Sequence, residues 1–310
     1  MKSLSLVLVA IIFGANAARA ASVQIDRDRM LIVDGKRTFV LGLYENPKDE
    51  AVLAEVAKAG FNLVSAVSQA QALDRLRDQG LYGWVNLGSN LDFSQDGEER
   101  ARGLQSAVVS LRNHPALLCW EVPDEALWNC WYEIVLWRGG REGNQQRELI
   151  AALTDAELKE NLLRQRDRAD QMWRQGDFSG AENLADDLWR KLGKEPPHPD
   201  LKLASASERA ERLRQGLLAG YQRLNDLDSD HPLWMNHAPR NQIAQLAAFN
   251  AAADVVGCDI YPVPAYRGVH SDLADRSMTS LGAFTYRMQA ADPRKPVWMV
   301  VQGFGWADFN

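Results

Sequence analysis

Asn113-His114-Pro115-Ala116-Leu117-Leu118-Cys119-Trp120-Glu121-Val122-Pro123-Asp124-Glu125 decides the fold of this chain. Ala116 to Val122 is a near-continuous apolar run, the pattern of a strand buried on both faces of a parallel sheet. Upstream, Thr38 to Tyr44, Asn62 to Val67 and Tyr82 to Leu87 read as further strands. The helices between and after them are Lys48 to Ala59, Ser68 to Gln79 and Glu98 to Arg112. Asn46-Pro47 and Ser68 start the first two, and Gly60 and Gly80 stop them. Downstream, Glu142 to Ser205 is charge-rich and helical in period, with capping boxes at Thr154 to Glu157 and Ser179 to Glu182, and reads as a helical insertion at about 142–205. Ser205 to Glu208, a third box, restarts the alternation. A helix to Asp228 leads to strand Pro232 to Asn236, helix Asn241 to Ala252, strand Asp254 to Tyr261, helix Asp272 to Ala290 and strand Pro296 to Gln302.

Strands alternating with helices predict an α/β fold, a (β/α)8 TIM-type barrel over residues 39–310. No Rossmann glycine fingerprint is present. The barrel is expected to be incomplete, truncated after its seventh strand, as part of a longer protein; the alternative is a gap filled by the N-terminal hairpin or a partner chain. That hairpin, residues 21–38, turns at Asp34-Gly35.

The 310 residues are 46% hydrophobic and 25% charged, a globular composition that excludes collagen-like, coiled-coil and disordered classes. A net charge of -6 gives no reason to expect nucleic acid or anionic lipid as a partner. Residues 1–20 carry Lys2, an apolar run from Leu4 to Phe13 and small-residue cleavage sites at Ala15-Asn16-Ala17 and Ala18-Arg19-Ala20. They read as a secretory signal peptide, placing the mature chain outside the cell or in a periplasm. No cysteine at the cleavage site suggests a lipid anchor, and no later apolar run reaches membrane-spanning length. An oxidising compartment would permit a Cys119–Cys130 bridge. The plainer reading makes Cys119 and Cys258 small buried hydrophobes in strands.

In such barrels the chemistry sits where strands end. The polar residues closing the apolar runs are Tyr44-Glu45, Asn86, Asp124-Glu125, Asn236-His237, Asp259 with Tyr261, and Gln302. Trp84, Trp128, Trp131, Tyr132 and Trp306 fall beside them. Convergent carboxylates among aromatic side chains suit sugar chemistry, in which one acid protonates the leaving oxygen and another stabilises or attacks the oxocarbenium-like centre.

The opening stretch resembles the fourth-strand motif of retaining glycoside hydrolases of clan A, where histidine-proline leads into an apolar strand, tryptophan, then asparagine-glutamate. Val33-Asp34-Gly35-Lys36-Arg37-Thr38-Phe39-Val40-Leu41-Gly42-Leu43-Tyr44 resembles the entry to their first strand, and Asp259-Ile260-Tyr261-Pro262 their sixth-strand end. The resemblance implies a glycoside hydrolase with Glu125 as general acid/base, kept protonated by burial or a neighbouring charge such as Asp124. It implies a carbohydrate substrate, and the strand-end positions make Glu45, Trp84, Asn86, Trp128, Asn236, His237, Asp259, Tyr261, Gln302 and Trp306 the residues expected to bind it.

Two positions depart from the family. Asp124 stands where asparagine binds the sugar 2-hydroxyl, and Gln302 stands where the seventh strand supplies a glutamate nucleophile; an amide cannot serve as one. Three readings remain open. Another carboxylate, Glu45 or Asp259, replaces the nucleophile; or Asp124 and Glu125 act on an N-acetylated sugar whose own amide attacks; or the barrel binds glycans without cleaving them.

Several plainer roles accompany these. Asp124-Glu125 could be a solvated helix N-terminus. His114 reads as a loop histidine, His237 as either a donor to substrate or a structural residue, and Trp137, Trp173 and Trp189 as packing for the insertion. Gly139-Gly140 reads as a turn within a charged loop. His114, His198, His231, His237 and His270 lack metal-ligand spacing, and neither a phosphate loop nor a Gly-x-Ser-x-Gly elbow is present, so neither metal nor cofactor is expected. The insertion is expected to cover the site or dock another subunit.

Overall fold

The computed structural model describes residues 20–239, 241–262 and 277–305. The leader to residue 19 and Trp306 lie outside the described residues. Val23–Ile25 (β1), Leu31–Val33 (β2) and Lys36–Thr38 (β3) form an antiparallel meander of three strands. Asp34 and Gly35 turn between β2 and β3 with φ of 50° and 77°, the left-handed pair that a tight hairpin requires.

Seven strands then pair in parallel, in chain order: Gly42–Leu43 (β4), Leu63–Ala66 (β5), Tyr82–Asn86 (β6), Leu117–Glu121 (β7), Leu233–His237 (β8), Val255–Ile260 (β9) and Val297–Val301 (β10). Helices Glu50–Lys58 (α1), Ala70–Asp78 (α2), Gly97–Leu111 (α3), Ala206–Leu227 (α8), Ile243–Asn250 (α9) and Thr279–Ala291 (α10) lie between strands. The sheet curls. β4 and β8 are four strand spacings apart, about 19 Å in a flat sheet, yet the rings of Tyr44 and Trp234 are 5.9 Å apart. This is a TIM-like α/β architecture of seven parallel strands, open between β4 and β10 among the described residues.

Side chains alternate across each strand. One face packs on the helices, with Val64, Val85, Leu117, Trp120, Met235, Val256 and Cys258 in a core shared with Leu53, Leu73, Leu104 and Leu246. The other lines the inside of the curl, where Leu63, Trp84, Cys119, Trp234 and Val255 meet Val23, Leu31 and Val33 of the meander. The meander therefore closes the end opposite the C-terminal ends of the strands, and Val23 N–H bonds Asp230 O just before β8. Trp84 and Trp234 stand edge to face at 5.6 Å, and Trp298 leans on Trp234. Gly257 makes room for this: a Cβ there would lie 2.1 Å from the Trp298 carbonyl oxygen and 3.0 Å from Trp234 Nε1. Gly257→Ala should lower stability by about 1–3 kcal/mol, read as a lower urea midpoint with unchanged slope, because backbone of the edge strand β10 must shift.

After β7 the chain turns directly into helix. Ala126–Leu136 (α4) runs through a π-turn at Trp137–Arg141 into Glu142–Ala151 (α5), followed by Ala156–Arg174 (α6) and Phe178–Lys191 (α7). Gly139-Gly140 is thus part of the π-turn rather than of a loop, and Trp173 packs where a Gly139 side chain would be. Arg138 donates to Glu142 and Asp186 at 2.8 Å each, all three side chains buried, and Trp189 Nε1 donates to Glu142 at 2.9 Å. All three cysteines are buried and free, so the permitted Cys119–Cys130 bridge is absent: Cys119 lies inside the sheet, whereas Cys130 sits on α4 facing Ala126 O.

Candidate active site

The polar layer sits directly above the tryptophans. Register aligns Asn86 with Glu121 and Glu121 with Trp234, then Asn236 with Gly257, and Asp259 with Val300. Their inward side chains, with Tyr44 from the end of β4, converge on Asp124 and Glu125 immediately after β7.

Glu125 precedes α4 with φ of 46°, a left-handed conformation uncommon for a non-glycine residue and often found where function requires it. This turn ends the strand run and holds the Glu125 carboxyl in hydrogen-bond contact with Asp259 of β9. Burial, the Glu125 charge and the Asp124 charge together push Asp259 up to about 9, while Tyr261 donates to it and pulls the other way. Burial and Asp124 likewise raise Glu125. Two carboxyls in direct contact cannot both ionise, so they hold one proton between them near neutral pH. Sharing a proton in this way makes Asp259 the proton partner of Glu125.

The native fold therefore binds a proton on Asp259 that the unfolded chain releases above an ordinary aspartate range. Its contribution to stability is full at acid pH and is lost as pH rises towards about 9. Asp259→Asn, which keeps a donor to Glu125, should unfold at higher urea than wild type at pH 8 and show no such advantage near pH 4.

Asp124 is exposed and accepts from Asn236 Nδ2 at 3.0 Å; its Oδ1 also lies 3.2 Å from Tyr44 Oη. Tyr44 Oη is 2.8 Å from Glu121 Oε1. Glu121 Oε2 accepts from Trp84 Nε1 at 3.1 Å and Asn86 Nδ2 at 2.9 Å. Burial pushes Glu121 up to about 7 against those hydrogen bonds. Glu121 did not stand among the expected site residues, and Tyr44 stood only as a residue closing its strand. The signal was there: an acid within a strand buried on both faces cannot pack against helices without a partner, so it must point into the barrel.

Other expected residues fall differently. Trp84 is buried one layer below the strand ends, edge-on to Tyr44 at 5.3 Å and to Trp234, so its face is closed to a sugar. His237 points to the helix side, Nε2 on Asn250 at 2.9 Å, and burial lowers it to about 4; it is buried packing rather than a group lining the mouth. Glu45 is exposed after β4. Gln302 donates to Phe304 O at 3.0 Å, and Phe304 stands edge-on to Tyr261 at 5.0 Å. On α4, Trp128 and Tyr132 stack at 5.9 Å, an aromatic pair of i, i+4 spacing. A cleft of about 290 Å³ opens beside Asp124, lined by Asn129, Glu133, Asp200, Arg209 and Arg212. Among the described residues no group of three or more His, Cys, Asp or Glu is placed to hold a metal ion, and no helix is long and apolar enough to cross a membrane.

No protein-family model and no curated protein matches this chain. Solved structures do. β-Glucuronidase 2 of Bacteroides uniformis, covalently bound to a cyclophellitol-6-carboxylate aziridine, aligns over 89% of this chain and 26% of its own, at 12% identity and a TM-score of 0.50. A crystal structure of Bacteroides uniformis β-glucuronidase gives the same identity, coverage and score. The chain thus spans about a quarter of the length of those enzymes. At this identity the likeness is one of fold: the chain has a glycoside hydrolase-like fold.

Proposed function

We propose that the protein is a secreted or periplasmic glycoside hydrolase acting on O-glycosidic bonds of oligo- or polysaccharides, with Glu125 as general acid/base. What supports this reading is the meeting of the Glu125 and Asp259 carboxyls at the C-terminal ends of barrel strands, where burial and mutual repulsion raise both, in a fold shared with glycosidases. Such a pair holds a proton at neutral pH that a leaving glycosidic oxygen can take, the hydrogen bond from Tyr261 to Asp259 easing the second negative charge that this leaves on the pair. Asp124 is the remaining carboxylate beside the pair. It stabilises positive charge on the sugar, or orients the acetamide of an N-acetylated sugar so that the substrate supplies its own nucleophile. Asn86, Asn236, Trp128 and Gln302 contribute hydrogen bonds and stacking to substrate.

Gln302 favours a second reading, glycan binding without cleavage, because its amide is engaged by Phe304 and offers no nucleophile. A panel of aryl glycosides, acetylated and not, separates the two. Cleavage of one substrate by wild type and its loss in Glu125→Gln supports hydrolysis. Oligosaccharide binding with no cleavage by either protein supports the binding barrel.

A further inference from the structure

We propose that Glu121 is a buried proton store that sets the charge of Asp124 through Tyr44. A phenol carries one hydrogen. Tyr44 Oη nevertheless lies within hydrogen-bond distance of two carboxyl oxygens, 2.8 Å from Glu121 Oε1 and 3.2 Å from Asp124 Oδ1. Both contacts are hydrogen bonds only when one carboxyl brings a proton of its own. Glu121 is the one that does: it is 2% exposed and its described hydrogen-bond partners are all neutral, whereas Asp124 is exposed to water. Its Oε2 already accepts two N–H groups, from Trp84 and Asn86, which leaves Oε1 to carry the proton and donate to Tyr44.

Tyr44 then donates to Asp124. When the phenol passes its hydrogen to Asp124 it takes the one on Glu121. Glu121 ends as a carboxylate, Tyr44 stays neutral and Asp124 becomes a neutral acid, so no charge is created. The surrounding titratable groups are Cys119 below Glu121 on β7, and Glu125 and Asp259 beyond Asp124. The Asp124 charge helps hold the proton on the Glu125–Asp259 pair, so the place of the Glu121 proton sets how firmly the pair holds its own. Glu121 is therefore a positioning residue acting through Tyr44. The relay stands on geometry alone; its bearing on catalysis rests on the hydrolase reading.

The test is carbon-13 NMR of protein labelled in its Asp and Glu carboxyls, from about pH 4 to about pH 9. Signals are assigned with Glu121→Gln and Asp124→Asn. Glu121→Gln reproduces the protonated shape, accepting from Trp84 and Asn86 and donating to Tyr44, and its urea midpoint confirms folding. In wild type the Glu121 signal should titrate near neutrality, and the Asp124 signal should show a second inflection at the same pH. Tyr44→Phe should abolish that inflection. A Glu121 signal titrating in the ordinary carboxylate range, or an Asp124 curve unchanged in Tyr44→Phe, overturns the proposal. Neither outcome depends on whether any glycoside is cleaved.

Discussion

Glu125→Gln should lower kcat on a cleaved glycoside by about 10²–10⁴-fold, the range for loss of a positioned general acid. KM should change much less, because the amide keeps the shape of the carboxyl and its oxygen can still accept from Asp259. The loss should grow with the basicity of the leaving group. An aryl oxygen departs with little protonation, whereas an alkyl or sugar oxygen needs the proton in the transition state. Comparing aryl with alkyl glycosides of the same sugar checks this, and equal losses on both would assign Glu125 a role in binding. Stability should rise or stay level in the same variant, since a buried acid crowded by Asp124 and Asp259 is removed.

Arg138→Met should cost about 3–5 kcal/mol, the usual penalty for breaking a buried ion pair from one side. Arg138, Glu142 and Asp186 have side chains only 1%, 1% and 6% exposed, so the two acids would be left without their shared cation. Lys202 still reaches Asp186 at 2.9 Å, and Trp189 still donates to Glu142. Urea unfolding measures the loss, and a second replacement, Glu142→Gln, should recover part of it because it removes one stranded charge. Full additivity of the two variants would show that the groups act independently.

The sheet was legible because strands buried on both faces leave apolar runs closed by polar residues. Leu117–Glu121, Val255–Ile260 and Val297–Val301 each fall inside the run that announced them. β4 is shorter than its run, Gly42–Leu43 against Thr38 to Tyr44, because the chain up to Thr38 pairs in the meander. α4 was hidden by its composition: Leu127, Cys130 and Ile134 are buried at helical spacing, but the aromatic residues between them read as strand-end stacking groups. Helix starts drifted by a residue or two where an aspartate competes with the expected cap. Asp155 caps α6 beside Thr154, and Asp177 caps α7 ahead of Ser179.

The site was legible as a set of residues and not as a set of contacts. Asp124, Glu125 and Asp259 follow from where strands end. Their contact depends on the curvature that brings the end of β7 to β9, and no one-dimensional spacing encodes it. Glu121 was masked by the run that contains it, since a strand buried on both faces hides which of its residues points inward. Trp84 and His237 were misplaced by the same ambiguity of strand parity and depth.

The central claim is that Glu125 and Asp259 share the proton used in catalysis. The most direct measurement is the pH dependence of kcat/KM on a cleaved alkyl glycoside, whose leaving oxygen needs that proton, for wild type and Asp259→Asn. An alkaline limb above neutrality is expected in wild type, moving to lower pH in Asp259→Asn, because Glu125 no longer titrates against a second carboxylate. Superimposable profiles for the two proteins would contradict it.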